Sequence, residues 1–242
     1  FWCNVKGIGS WSLTGNAAEA LSKKFTEMQD DSEVTAGFMW QKTTRESKKY
    51  QLRGEILSFI PVEKNVEVML VTITNTGRMA QTVTPTAAIP LYGRSADNIR
   101  DHRHVTSLLH RIETTDIGVL VTPTLSFDER GHQVNHMTYY CVGWSGNGEK
   151  PVDFYPTAED FVGEGGNFER PYAIVKNAEG VKAGTRIEGL EAVGGLHFSE
   201  VTLEPEEECS YLIFTGITED IQEIRNLSKT YTTREMVLEL SL

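Results

Sequence analysis

The densest polar run in the chain is Gly93-Arg94-Ser95-Ala96-Asp97-Asn98-Ile99-Arg100-Asp101-His102-Arg103-His104. Arg94, Asp97, Asn98, Arg100, Asp101, His102, Arg103 and His104 stand together between two apolar runs. Guanidinium groups bind hydroxyls and anions in a planar, bidentate manner, so this segment is the candidate for contact with a ligand or a partner. The plainer alternative is an Arg/Asp/His network that satisfies a long connection internally. In extended backbone His102 and His104 share a face with Arg100, and an H-x-H pair is half of a metal site. No third ligand stands at a diagnostic spacing, so no metal is assigned.

Other chemistry is thinner. Trp11 and Trp144 are candidates for stacking on a sugar ring, against the alternative that they fill a core. Asp128-Glu129-Arg130-Gly131-His132 places two carboxylates together, but adjacent strand residues point to opposite faces and the Gly marks a hairpin tip. There is no G-x-S-x-G. Gly163-Glu164-Gly165-Gly166 lacks a strand-to-helix setting and reads as a surface loop. Cys3, Cys141 and Cys209 are odd in number and form no C-x-x-C, which disfavours a disulfide framework or thiolate zinc and favours a reducing cytoplasm.

The elements that position these residues are mostly strands. Val34–Trp40, Tyr50–Ile60, Val66–Asn75, Gln81–Tyr92, Gly118–Phe127, Met137–Trp144, Pro171–Lys176, Gly194–Leu203 and Ser210–Ile217 are rich in β-branched and aromatic residues and bounded by turn formers. The second half of Val66–Asn75 is apolar on both parities, as a central strand buried on both faces requires. Asn75-Thr76-Gly77, Glu204-Pro205-Glu206-Glu207 and Ser145-Gly146-Asn147-Gly148 read as hairpin turns. A strand is expected over His104–Ile112, although Val105, Leu108, Leu109 and Ile112 also follow helical spacing. Helix is expected at Asn16–Met28, capped by Asn16 with Glu19 in the box position, and in one or two segments after Glu219.

The chain has 242 residues and a formal charge of −11, from 23 basic against 34 acidic side chains. That length supports one large β domain with an ample core. The acidic balance disfavours nucleic acid and anionic membrane surfaces as partners, and no apolar run is long enough to span a bilayer. Phe1 in place of Met, followed by apolar sequence, reads as an interior stretch of a longer protein.

The run from Ala88 to Ile112, with Pro123–His132, Lys150–Thr157, Gly163–Pro171 and Trp11–Asn16, closely resembles glycoside hydrolase family 94. These are inverting disaccharide and oligosaccharide phosphorylases, and the pattern is most similar to their 1,2-β-oligoglucan phosphorylase branch. The resemblance implies a large antiparallel β-supersandwich of the galactose mutarotase type over 1–218. Residues 219–242 would begin a helical linker to a catalytic α/α toroid outside this chain. It also implies a homodimer acting on a β-linked gluco-oligosaccharide. No cofactor is implied, inorganic phosphate being the co-substrate, and the general acid would lie in the toroid. Arg94–His104 would then be a loop reaching toward the cleft of the adjoining subunit. Two other readings stand beside this one. One is a stand-alone carbohydrate-binding sandwich. The other is a mutarotase-type epimerase, needing a His acid from among His102, His104, His132, His136 and His197 opposite a Glu base.

Overall fold

The computed structural model describes residues 1–62, 64–93, 103–128 and 131–239. The chain opens with β1 (Trp2–Val5), β2 (Gly9–Ser12) and a one-turn helix α1 (Ala18–Ser22). Five strands follow: β3 (Asp31–Gly37), β4 (Trp40–Ser47), β5 (Leu52–Phe59), β6 (Val66–Asn75) and β7 (Gln81–Leu91). After α2 (Arg103–Ser107) come β8 (Arg111–Thr114), β9 (Gly118–Val121), β10 (Leu125–Asp128), β11 (Gly131–Val134), β12 (Thr138–Ser145) and β13 (Asp153–Thr157). Two short helices, α3 (Ala158–Val162) and α4 (Tyr172–Lys176), precede β14 (Arg186–Glu188), β15 (Ala192–His197), β16 (Val201–Leu203) and β17 (Glu208–Thr218). Helices α5 (Ile221–Thr230) and α6 (Arg234–Glu239) follow.

Among the described residues these strands make two large antiparallel sheets and one small ribbon. The wider sheet has nine strands in the order β14-β8-β9-β12-β17-β6-β5-β4-β3. The narrower one runs β13-β15-β7-β1-β2, with β16 also pairing β7. Their facing sides bury one core, which includes Trp11, Leu52, Val71, Ile73, Cys141, Leu196 and Ile213. The outer face of the wide sheet buries a second core under α5 and α6, where Ile224 and Val237 meet Leu70, Trp144 and Phe214. The helices α3 and α4 cover part of the narrow sheet around Trp2, Tyr155 and Phe161. Both parities of β6 are thus buried, Leu70 on one side and Val71 on the other, as the unbroken apolar run predicts.

The three expected hairpins are crossings between sheets. β6 lies in the wide sheet and β7 in the narrow one. The pairs β16–β17 and β12–β13 also change sheet across their turns. Turn-forming residues satisfy a chain reversal of either kind, so local sequence does not separate the two. Asn75 fastens two of these corners. It is fully buried, and its Nδ2 donates to the carbonyls of Leu203 (2.8 Å) and Met79 (2.9 Å). Its Oδ1 accepts from Gly77 N at 2.9 Å, while its backbone bonds Glu206 and Glu207 across the gap.

Other expectations also change. Pro171–Lys176 is helix α4: Pro171 is its N-cap residue, with extended backbone, and Asn177 ends it in the left-handed region. The helical alternative holds for Arg103–Ser107, and strand β8 begins only at Arg111. The helix expected over Asn16–Met28 is five residues long, and Ala17 rather than Asn16 is its N-cap residue. Val34–Trp40 contains a reversal at Phe38-Met39, where Met39 takes φ +63° without the Gly or Asn that would have announced it.

Candidate functional site

The two sheets differ in width: Trp11 and Leu13 reach β5 at Gly54, and further along β4 and β5 the inner face of the wide sheet lines an opening between the sheets. There the inner face forms two cross-strand rows. Gln41, Ser58, Met69 and Ile213 stand in register across β4, β5, β6 and β17, and Thr43, Ile56 and Val71 form the next row. Ala87 to Pro90 of β7 face these rows, and Asn16 and Phe168 stand at the rim. The result is a cleft of about 360 Å³. Its lining has hydroxyls and amides at one end and aliphatic groups at the other, with no charged side chain. Such a surface suits an uncharged, hydroxyl-bearing ligand or chain segment, and none of its side chains transfers a proton near neutrality. The signal in the sequence is period two: Gln41 and Thr43 alternate with Lys42 and Thr44 along one strand.

A second cleft lies against α1. The Glu19 carboxylate accepts from Lys23 (2.7 Å) and Lys49 (2.7 Å). The Tyr50 hydroxyl accepts from Lys49 (3.1 Å) and donates to the Ser10 carbonyl (2.8 Å). The Lys23 ammonium, then Lys49, holds the Glu19 carboxyl down to about 2 despite partial burial. An acid this strongly held in its charged form is a strut tying α1 to the β4–β5 turn, and its proton is unavailable for catalysis.

The charged segment falls largely outside the described residues. Arg94, Asp97, Asn98, Arg100, Asp101 and His102 are all there, and Arg103 and His104 are placed only as the start of α2. Its two ends are described. Gly93 stands against His110, which is buried and bonds the Leu190 carbonyl through Nδ1 at 3.1 Å. That bond places the proton on Nδ1 and leaves Nε2 a buried acceptor that no donor reaches among the described residues. Burial lowers the His110 pKa, against smaller raising effects from Leu190 and Glu191.

Neither tryptophan offers a ring to solvent. Trp11 is 2 % exposed and donates through Nε1 to Asp30 (3.0 Å). Trp144 is 3 % exposed, stacks on Phe214 and donates to the Tyr231 carbonyl (2.8 Å). Their burial is that of core residues, which fits the core-filling alternative. His132 and His136 are exposed, whereas His197 is buried and bonds Asp153 (2.6 Å), its cross-strand neighbour, rather than a Glu. Among the described residues no group of three or more His, Cys, Asp or Glu is placed to hold a metal ion. No helix among the described residues is long and apolar enough to cross a membrane.

Two unequal antiparallel sheets packed face to face, with helices on their outer sides, define a β-supersandwich. The family model of the glycosyl hydrolase 94 supersandwich domain matches residues 10–234, and the chain belongs to that family. A search of curated protein sequences finds no match. Among solved structures, a polysaccharide lyase is 12 % identical over 81 % of this chain and 24 % of its own, with a TM-score of 0.43. A protein described as a kojibiose phosphorylase from human microbiome is 9 % identical over 84 % of this chain and 21 % of its own, with a TM-score of 0.38. The chain therefore spans about a quarter of the length of these structures.

Proposed function

We propose that this supersandwich is the non-catalytic, carbohydrate-associated part of an inverting phosphorylase of β-linked gluco-oligosaccharides. The family match over residues 10–234 carries the reading. The chemistry of the described residues agrees with it, since the cleft between the sheets is uncharged and the most perturbed carboxylate is locked in ion pairs. In this reading the general acid and most phosphate ligands belong to a catalytic toroid beyond the helices α5 and α6. Inorganic phosphate attacks the anomeric carbon as the glycosidic oxygen is protonated, giving a sugar 1-phosphate of inverted configuration. The guanidiniums of Arg94, Arg100 and Arg103 contribute hydrogen bonds to sugar hydroxyls or to the phosphate.

The test is phosphorolysis by the full-length protein that carries this chain, with β-1,2-linked glucans and inorganic phosphate and the product anomer read by NMR. Release of an α-sugar 1-phosphate is expected. Absence of phosphate-dependent release across β-linked glucans overturns the reading. A stand-alone carbohydrate-binding role is the second reading, favoured by the uncharged cleft. It requires that Gln41→Ala and Ser58→Ala weaken calorimetrically measured glucan binding, and it ends if no glucan binds.

A further inference from the structure

At one end of the wide sheet the beginnings of β6 and β12 and the end of β17 lie beside α5, and a cleft of about 400 Å³ opens there. Helix α5 lines it with Glu223, Asn226, Leu227 and Thr230, the i, i+3, i+4, i+7 spacing of one helix face. Lys64 and Asn65, just before β6, line it as well. The surround is fixed in place. Ile217 N donates to the Asn65 carbonyl (3.4 Å), and Trp144 Nε1 donates to the Tyr231 carbonyl (2.8 Å). The Tyr231 ring meets Phe214 and the Lys64 ammonium. Thr218 Oγ1 donates to Glu223 Oε2 at 2.6 Å, which leaves Oε1 without a partner among the described residues.

Tyr140 is the member of this lining that packing does not explain. It is 5 % exposed and its ring belongs to the core under α5 and α6, yet among the described residues nothing bonds its hydroxyl. Gly216 pairs with it across the strands and makes room for it. A Cβ at Gly216 would come within 2.5 Å of the Tyr140 hydroxyl and 2.6 Å of the Asn65 carbonyl. Burial, with Glu223 adding to it, pushes the Tyr140 pKa up to about 12, so the hydroxyl remains a donor at neutral pH. A phenylalanine would fill the same core space without a polar group to desolvate. The hydroxyl therefore serves something outside the fold.

We propose that this cleft is a saccharide-binding site on the outer side of the wide sheet, separate from the cleft between the two sheets. The Lys64 ammonium and the Glu223 carboxylate cancel, so the lining selects no net charge. The other polar side chains, Tyr140, Asn65, Asn226 and Thr230, are neutral, and among the described residues none has a hydrogen bond to lose on binding. An amide sets a donor beside an acceptor, and neighbouring hydroxyls of a sugar ring do the same. Asn65 and Asn226 come from different elements, so a ring between them is held on two edges, while one hydroxyl accepts from Tyr140 and another donates to Glu223 Oε1. The choice of glucan as ligand rests on the carbohydrate-associated part of the proposed function, and nothing here rests on phosphorolysis.

Calorimetric titration of the protein with short β-linked gluco-oligosaccharides, paired with urea denaturation of each variant, tests the site. Wild type is expected to bind. Tyr140→Phe is expected to weaken binding several-fold while its urea midpoint stays equal or rises, because the hydroxyl has no partner in the fold. Asn226→Ala, at an exposed position, is expected to weaken binding several-fold, and the double variant at least tenfold. Asn147→Ala, beyond the opposite end of β12, is expected to bind as wild type does. No binding by wild type overturns the proposal, as does unchanged binding by Tyr140→Phe and Asn226→Ala. A lowered midpoint in Tyr140→Phe also overturns it, since the hydroxyl would then be structural. Binding lost in Gln41→Ala but kept in both cleft variants moves the saccharide to the cleft between the sheets and ends this reading. Phosphorolysis is read separately, by release of sugar 1-phosphate, so its failure and the failure of this site are told apart.

Discussion

Replacing Asn75 by Ala tests whether one side chain holds two sheet crossings together. The substitution removes three hydrogen bonds, from Nδ2 to the Leu203 and Met79 carbonyls and from Gly77 N to Oδ1. The bonds to Leu203 and Gly77 are buried, whereas the Met79 bond is partly buried and water can replace the lost donor there. A buried polar group left without its partner costs about 1–3 kcal/mol, so two of them cost about 2–6 kcal/mol. That is a large share of the roughly 5–15 kcal/mol by which a domain is stable. Asn75→Asp keeps the shape but turns an oxygen toward two carbonyls, and is expected to be at least as harmful. Urea denaturation of both variants gives the cost. Asn147→Ala, on the exposed turn of the third crossing, serves as control and is expected to change stability by less than about 0.5 kcal/mol. There Ser145 Oγ, not the Asn side chain, accepts from the backbone at Asn147 and Glu149. A cost below about 1 kcal/mol for Asn75→Ala, or an equal cost for Asn147→Ala, refutes the argument.

Two further outcomes follow from burial and charge. Glu19 and His110 both bind protons more weakly folded than unfolded, so stability is complete above their unfolded pKa values and falls with acid. The loss starts near pH 6.5 for His110 and runs from about 4.5 to about 2 for Glu19. Denaturant midpoints measured against pH should lose the upper step in His110→Gln and shrink the lower one in Glu19→Gln; a midpoint that rises on acidification contradicts both assignments. Burial raises the Cys3 and Cys141 thiols, and also that of Cys209, which is pushed up to about 11. At pH 8 a thiol of that pKa is about one part in a thousand thiolate. Ellman titration should therefore find the native protein at least 100-fold less reactive than the unfolded one, and a single fast native thiol would sink this.

The strands were legible wherever pattern and burial coincide. Val66–Asn75 is bounded in the structure as its composition predicts, because a strand buried on both faces has little but apolar residues to show. What eluded the sequence was partnership. Asn75-Thr76-Gly77 has the chemistry of a turn, but whether the next strand returns beside its predecessor or crosses to a facing sheet depends on residues 130 positions away, such as Leu203 and Glu207. Short helices hid for another reason: Tyr172–Lys176 is held by Ile174 packing against the narrow sheet, and five residues give helical periodicity no room to appear. The uncharged cleft shows in the sequence only as the period-two alternation of Gln41 and Thr43, because its other residues lie on strands drawn from both ends of the chain, among them β5, β6, β7 and β17.

The place of β17 has a consequence for synthesis. It lies between β6 and β12, so the wide sheet remains two separate halves until residues 208–218 have left the ribosome. At about 5–20 residues per second, β6 waits on the order of ten seconds after its own emergence with one long apolar edge open. A nascent chain in that interval is a substrate for holdase chaperones and a hazard to its neighbours on the same polysome. The strand that completes the sheet is the last of the described strands to be made, and folding of the whole sandwich is timed by its arrival.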